Sequence, residues 1–154
     1  YTASIKLGKI TDTLDPEGVV TKKKKIPKLN DSKINEILNS FLGTSMQTPP
    51  MFSAKKIGGV KLYELARKNI IIDREKAQIN ISDISLISFN ETRISFSVSC
   101  SKGTYIRVLG KEIAEKLGTV GYLDSLIRTR VGEYFIDDSV SLDQFELSWK
   151  SYAH

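Results

Sequence analysis

Two neighbouring runs of alternating apolar residues constrain the fold of this chain more than any other feature. Residues 76–89 alternate imperfectly around Asp83, and residues 93–100 alternate at strict period two. Apolar residues at every second position form one face of a β-strand. Asn90-Glu91 between the runs has the composition of a hairpin turn. We therefore predict two long, paired antiparallel strands.

Helical patterns flank these strands. N-cap candidates at 30–32 precede an apolar stripe with spacing i, i+3, i+4 and i+7, and Gly43 lies where a C′ glycine belongs. A second amphipathic pattern covers 104–117 and ends at Gly118. Shorter helices are predicted at 61–68 and 142–147. Further strands are predicted at 1–7 and 128–134. Residues 8–18 are rich in turn formers, and the stretch that begins at 122 is predicted to be helix or loop before the strand at 128.

Strands and helices come in blocks rather than in strict alternation, which predicts an α+β domain with a largely antiparallel mixed sheet flanked by helices. The 154 residues are 40% hydrophobic, enough for one compact domain. No apolar run approaches the ~18 residues of a membrane span. The single cysteine, Cys100, favours a reducing compartment and lies at an inward strand position, as a core residue does.

Composition also restricts the chemistry. The one histidine, His154, is terminal and there is one cysteine, so a Cys/His metal cluster and a histidine-dependent triad are excluded. Walker and dinucleotide glycine fingerprints are absent. Catalysis would have to use Asp, Glu, Lys, Arg or Tyr. A formal net charge of +5 favours a polyanionic partner such as nucleic acid.

Two basic segments have two interpretations each. Residues 100–107 read as a strand end, a glycine turn and a helix N-terminus carrying Lys102 and Arg107, which suits an anion but also fits a glycine turn with solvated cations. The four lysines at 22–25 read as a solvated edge or loop, or alternatively as a phosphate-contact patch.

Four motifs, in the same order along the chain, resemble those of one known family. Residues 100–107, Cys-Ser-Lys-Gly-Thr-Tyr-Ile-Arg, are similar to the C-S-x-G-T-Y-I-R signature of the TruB family of pseudouridine synthases. Tyr1 with residues 7–18 resembles its second motif, residues 47–67 resemble its RNA-clasping thumb, and residues 126–132, Leu-Ile-Arg-Thr-Arg-Val-Gly, resemble its last core motif. Together they span nearly the whole chain.

The resemblance implies the pseudouridine synthase fold and the isomerisation of uridine to pseudouridine at position 55 in the T-loop of tRNA, without cofactor or metal. An aspartate helps to break the glycosidic bond of a flipped uridine, whose base rotates and rejoins through carbon. Arg107 corresponds to the cation paired with that aspartate, because a guanidinium grips a carboxylate at two points. Tyr1 corresponds to the tyrosine stacked on the target base, and Leu126 to an apolar active-site residue.

The resemblance also implies a thumb segment at about 44–70 that binds the T-arm of tRNA. The expected partner is therefore tRNA, bound by a monomer in the cytoplasm. The RNA-binding candidates are basic or aromatic residues, namely Lys55, Lys56, Lys61, Arg67, Lys68, Lys102 and Tyr105.

The nucleophilic aspartate is expected outside this chain. The family carries it in a G-x-L-D-P-x-A-x-G segment that precedes the motif beginning at Tyr1. Leu14-Asp15-Pro16 resembles the middle of that segment, but Glu17-Gly18 departs from its Ala-x-Gly end. We therefore interpret Asp15 as a turn carboxylate that caps backbone N–H groups. The disfavoured alternative is that Asp15 is the nucleophile. On the favoured interpretation residues 1–154 form a catalytic domain incomplete at its N-terminus, and the chain alone is inactive.

Two other functions fit the same residues. One is a non-catalytic RNA-binding or tRNA-chaperone module that holds the T-arm. The other is a dyskerin-like relative that works inside a guide-RNA particle, although the bacterial-style thumb speaks against it.

Overall fold

The computed structural model describes residues 1–152 of the chain, so His154 lies outside the described residues. Four α-helices are described, α1 (Asp31–Asn39), α2 (Leu62–Arg67), α3 (Ile106–Lys116) and α4 (Leu142–Tyr152), and a 3-10 helix spans Ile136–Asp138. The strands are β1 (Thr2–Leu7), β2 (Lys9–Thr11), β3 (Val20–Lys23), β4 (Gly43–Gln47), β5 (Lys56–Ile57), β6 (Val60–Lys61), β7 (Ala77–Phe89), β8 (Arg93–Cys100), β9 (Gly121–Ile127), β10 (Arg130–Val131) and β11 (Tyr134–Phe135).

The main sheet has five strands in the order β4-β7-β8-β1-β9, and every described pairing in it is antiparallel. The long β7–β8 hairpin predicted from the alternating runs is confirmed, and so is the α+β class. Three two-stranded sheets, β2–β3, β5–β6 and β10–β11, lie outside the main sheet.

Helices α1 and α3 bury their apolar stripes in the core that the central strands form. Ile34 and Leu38 of α1 and Leu109 and Ile113 of α3 are all 1% exposed or less. The close approach of α3 to β1 requires Gly110, since an added Cβ there would lie 2.7 Å from a methyl carbon of Ile5. This packing fixes α3, and its first turn carries Arg107.

Several predicted boundaries are wrong. The first helix ends at Asn39, where the Ser40 N–H bonds to the Glu36 and Ile37 carbonyls, and Gly43 (φ +91°) instead begins β4. The turn-rich stretch at 8–18 contains β2, and the last helix is longer than predicted.

The largest error concerns the stretch after Tyr122, predicted as helix or loop followed by a strand at 128–134. Gly121–Ile127 is a full strand of the main sheet, whereas only Arg130–Val131 and Tyr134–Phe135 are strands further on. The pairing of β9 with β1 shifts register between Ser4 and Ile5, so residue 124 breaks the period-two pattern by which a strand is recognised. Within residues 1–152, no helix is long and apolar enough to span a membrane.

Candidate active site

Arg107 lies in the first turn of α3 and is bound by three oxygens from distant parts of the chain. Its Nη1 donates to Asp15 Oδ2 at 2.7 Å and to the Thr13 carbonyl at 2.8 Å, and its Nη2 donates to the Phe52 carbonyl at 2.6 Å. The side chains of Arg107 and Asp15 are each 24% exposed. Partial burial strengthens a charge-assisted bond, so the cation is held in one orientation.

Asp15 belongs to the loop between β2 and β3, which is closed by carboxylate caps. Asp12 Oδ1 accepts from the backbone N–H of Thr13 at 2.9 Å and of Val19 at 2.8 Å. Asp15 Oδ1 accepts from the Thr13 hydroxyl at 2.5 Å and from the Glu17 N–H at 3.2 Å. The predicted turn-capping role of Asp15 is confirmed.

The same loop contains one strained residue. Leu14 has φ +65°, a conformation that costs a non-glycine residue on the order of 1 kcal/mol or more. Its carbonyl accepts from the Leu123 N–H at 3.0 Å, which ties the loop to β9. The strained residue next to Asp15 is therefore tied to the main sheet by a backbone hydrogen bond.

Gln47, at the end of edge strand β4, fixes the start of α3. Its side-chain amide donates to the Tyr105 carbonyl at 3.2 Å and accepts from the Tyr105 N–H at 2.8 Å. Gln47 is 2% exposed, and Tyr105 is the N-cap residue of α3, whose side chain makes no capping bond. Gln47 thus satisfies the Tyr105 N–H, which the helix terminus leaves unpaired, and adds a bond to the Tyr105 carbonyl, which also accepts from the Val108 and Leu109 N–H groups.

A cavity of about 430 Å³ opens beside the guanidinium, and we call it the Arg107 cleft. Its lining residues are Thr13, Asp15, Glu17, Phe52, Ser53, Ala54, Lys55, Tyr63, Tyr105 and Arg107.

Two features of the lining suit a planar, anionic ligand. The Tyr63 ring lies near two cations, with Lys61 Nζ 5.4 Å and the Arg67 guanidinium carbon 5.3 Å from its centroid. The hydrogen bond from Lys61 to the Tyr63 hydroxyl raises the pKa of Lys61. The Ser53 hydroxyl is buried and has no hydrogen-bond partner among the described residues.

The structure brings together some of the predicted site residues. Arg107, Tyr105 and Lys55 line one cleft, and Lys61 and Arg67 flank it through the Tyr63 ring. Lys56, Lys68 and Lys102 are exposed, on β5, at the end of α2 and in the turn before α3 respectively.

Tyr1 and Leu126 do not line the Arg107 cleft. The Tyr1 ring lies beneath the Arg128 guanidinium, 5.5 Å from its centroid, and borders a separate cavity of about 570 Å³ with Cys100 and Arg130. Leu126, opposite Ala3 in the β1–β9 ladder, is 43% exposed. Tyr1 directly precedes β1, and Leu126 lies on β9, the strand that pairs with β1.

Sequence reasoning missed two long-range contacts at this site, the ion pair of Asp15 with Arg107 and the bonds of Gln47 to Tyr105 at the start of α3. We predicted that the carboxylate partner of Arg107 comes from outside the chain, but Asp15, 92 residues earlier, pairs with it. Gln47 was assigned to the thumb motif without a structural role, and it bonds across 58 residues. Sequence separation of this size gives no local signal. Only the predicted anion-binding turn around Arg107 pointed towards a carboxylate partner.

Within residues 1–152, no group of three or more His, Cys, Asp or Glu side chains could hold a metal ion. The arrangement instead supplies a fixed cation, an aromatic wall and several lysines around one open cavity. Such a site can orient a carboxylate or phosphate and grip a planar base.

The fold is similar to those of two solved structures. A chain in a structure titled as a Cbf5-Nop10-Gar1 complex matches with a TM-score of 0.67 at 22% identity, covering 99% of this chain and 37% of that one. A chain of an H/ACA RNP bound to a substrate RNA containing 2'-deoxyuridine matches with a TM-score of 0.60 at 17% identity, covering 99% and 35%. At these identities the likeness defines the fold class.

The sequence comparisons define the family. The chain belongs to the TruB family, because the model described as TruB family pseudouridylate synthase (N terminal domain) matches residues 1–106. Proteins called tRNA pseudouridine synthase B from Psychrobacter cryohalolentis and Clostridium tetani are 44% and 45% identical over 146 and 143 residues. These matches cover 95% and 93% of this chain but 41% and 50% of the relatives, so the chain spans half their length or less.

Proposed function

We propose that this protein isomerises uridine to pseudouridine at position 55 in the T-loop of tRNA, and that this chain supplies the Arg107 cleft of the active site. The observation that carries the proposal is a guanidinium fixed by three hydrogen bonds beside an open cavity with an aromatic wall. The family and its tRNA pseudouridine synthase relatives support the reaction class. Such a reaction needs no cofactor, and a tRNA substrate and a single reduced cysteine fit the cytoplasm.

In this proposal Arg107 orients the nucleophilic carboxylate. The three described bonds use three of the five N–H donors of a guanidinium, which leaves donors for a second carboxylate. Asp15 then acts as a positioning residue, because its oxygens are already engaged by Arg107, by the Thr13 hydroxyl and by the Glu17 N–H. The nucleophile itself would be an aspartate outside residues 1–154, and we expect these residues alone to be inactive.

Tyr1 and Leu126 are proposed to face the target base from the adjoining sheet surface. Tyr1 presents a half-buried ring at the start of β1, and Leu126 presents an exposed apolar side chain on β9. An extruded base needs a flat stacking partner and an apolar contact. Their positions at the paired strands β1 and β9 are consistent with one base touching both.

RNA contacts are proposed for the segment at about 44–70 together with the turn before α3. Lys55, Lys56, Lys61, Arg67 and Lys68 lie on or beside the β5–β6 hairpin and α2, and Lys102 and Tyr105 lie at the start of α3. Several simultaneous phosphate contacts would make tRNA affinity fall steeply with salt, with a log–log slope of about −0.7 to −0.9 per contact.

The test is tritium release from tRNA labelled at uridine C5, since forming the carbon–carbon glycosidic bond displaces that hydrogen. The full gene product is compared with Arg107→Ala. We expect near-complete loss of release with the tRNA Kd changed by less than about threefold, because the lost contact acts on the chemical step.

A matched control removes a different Arg–Asp ion pair. Arg93 pairs with Asp124 at 2.8 Å across the main sheet, and neither residue lines the Arg107 cleft. Arg93→Ala should keep tritium release, and circular dichroism should show both variants folded. Equal turnover by Arg107→Ala and the unaltered protein would remove Arg107 from the site. Tight tRNA binding without release in any preparation would favour the non-catalytic RNA-binding alternative.

A further inference from the structure

We infer that the lysines at the stem of the β2–β3 hairpin form a second phosphate-binding surface, which contacts the RNA backbone beyond the nucleotide held in the Arg107 cleft. The inference rests on the proposed function, because it assumes that an RNA occupies that cleft. We call this surface the lysine stem; it consists of the exposed residues Lys22, Lys23, Lys24, Lys25 and Lys28.

The charge of the lysine stem is largely unbalanced, with Glu91 as the one acidic residue that shares a described cavity with it, beside Lys28. No acidic residue occurs between Gly18 and Asp31, and within residues 1–152 none of the five lysines forms an ion pair. Lys23 also lies directly opposite Lys9 in the β2–β3 ladder. Like charges in that register destabilise a strand pair, so the arrangement costs folding free energy that a bound polyanion would offset.

Packing does not account for these residues. All four side chains of β3 are exposed, so this strand buries nothing that would specify lysine. Backbone bonds anchor the segment, and none of the anchoring contacts uses a lysine side chain: the Lys24 N–H donates to the Gly8 carbonyl at 3.0 Å, and the Lys24 carbonyl accepts from the Thr119 hydroxyl at 3.3 Å. Fixed backbone and unengaged ammonium groups together make a preorganised cationic surface.

Lys22 and Lys23 of the lysine stem lie near the loop that reaches the Arg107 cleft. The loop at the end of the hairpin carries Thr13 and Asp15, which bind Arg107. Lys22 and Lys23 follow one and two ladder positions away from Thr11, the last β2 residue before that loop. At about 3.4 Å per residue, their backbones start within roughly 10 Å of the loop, and each lysine side chain extends the reach.

The chemistry favours a phosphate backbone over base-specific contacts. Ammonium groups act as point charges, and an exposed two-stranded ribbon has no pocket that could select one base. The expected contribution is therefore independent of sequence and strongly salt-dependent.

The test measures tRNA binding by the full gene product as a function of salt, for Lys22→Gln/Lys23→Gln against a control with the same charge change. The control, Lys33→Gln/Lys111→Gln, lies on α1 and α3. We expect the stem variant to bind about 30-fold more weakly at 0.1 M salt and about equally at 1 M, because the loss of two phosphate contacts makes the log–log slope shallower by about 1.5. The control should match the unaltered protein, and turnover at saturating tRNA should be unchanged.

Two outcomes would overturn the inference. An unchanged Kd and salt slope would do so while leaving the proposed function intact, provided that tritium release persists. Self-association of the stem variant with unchanged tRNA binding would show instead that the lysines protect a strand edge from pairing with another copy. Failure of the unaltered protein to release tritium would count against the proposed function, and the binding comparison would still decide whether the lysine stem contacts RNA.

Discussion

The Arg107 cleft and the lysine stem both carry positive charge, but the cationic side chains have different surroundings in the two regions. Arg107 is mostly buried and engaged by a carboxylate and two carbonyls. The lysines of the stem are exposed, and the structure describes no anionic partner for them within residues 1–152. The contrast teaches that a cation fixed by hydrogen bonds can set geometry for chemistry, whereas exposed cations without an ion pair can only add affinity that salt screens.

The largest effect should come from Arg107→Lys, which keeps the charge but removes the planar fork. A lysine ammonium is a single point charge and cannot bond to Asp15, Thr13 and Phe52 at the same time, as the guanidinium does. We expect single-turnover pseudouridine formation to slow by about 10²- to 10³-fold, with salt dependence of binding unchanged. A rate close to that of the unaltered protein would mean that charge alone suffices, and the distinction between the two regions would fail.

Asp15→Asn should have the next largest effect. It removes one charge-assisted bond, while the carbonyls of Thr13 and Phe52 still hold the guanidinium. We expect turnover to fall by about 10- to 100-fold and tRNA Kd to change little. Asp12→Asn is the control, because Asp12 caps the same loop without touching Arg107. Equal losses in both variants would indicate loop unfolding rather than positioning of Arg107.

Gln47→Ala tests whether the start of α3 must be pinned. It leaves the Tyr105 N–H without its described partner at a partly buried position, whereas the Tyr105 carbonyl still accepts from the Val108 and Leu109 N–H groups. We expect about 1–3 kcal/mol lower free energy of unfolding in urea, and a turnover loss of about tenfold or less at temperatures where the variant is folded. Unchanged stability would show that water replaces the amide.

The smallest effect is expected at Glu112 of α3, which lines neither region. Burial raises the pKa of Glu112, so the folded state binds a proton more readily than the unfolded chain. Protonated Glu112 therefore adds to the free energy of unfolding at low pH, and this contribution is lost as pH rises through its unfolded and folded pKa values. At neutral pH the buried charge lowers the free energy of unfolding. Glu112→Gln should stabilise the protein by less than about 1 kcal/mol at pH 7 and not at pH 4, measured as the shift in Tm. Equal Tm shifts at pH 7 and pH 4 would contradict the view that the effect comes from the buried Glu112 charge.

Sequence patterns predicted those parts of the fold in which the contacts are local. At the candidate site they indicated only residues that lie within one contiguous motif. The β7–β8 hairpin follows from alternation, and the turn before α3 follows from Gly103, which adopts φ +82°. The β9 strand escaped prediction because a register shift in its pairing with β1 broke its alternation. Only tertiary structure shows such a contact.

The site shows the same division. The anion-binding turn around Arg107 could be predicted from a glycine, two cations and a helix start. The partners of that turn could not, because Asp15 and Gln47 reach it from 92 and 58 residues away. Asp15 satisfied a turn-capping interpretation with one oxygen and binds Arg107 with the other, so a correct local interpretation concealed its long-range role.

The central claim is that Asp15 acts through Arg107, as one unit that orients the reacting groups. A double-mutant cycle on single-turnover pseudouridine formation, with Asp15→Asn, Arg107→Lys and the double variant, measures this coupling. We predict that the double variant is no more than about threefold slower than Arg107→Lys alone, since Asp15 has nothing left to position. Multiplicative losses, with the double variant slower by the product of both single effects, would contradict the account.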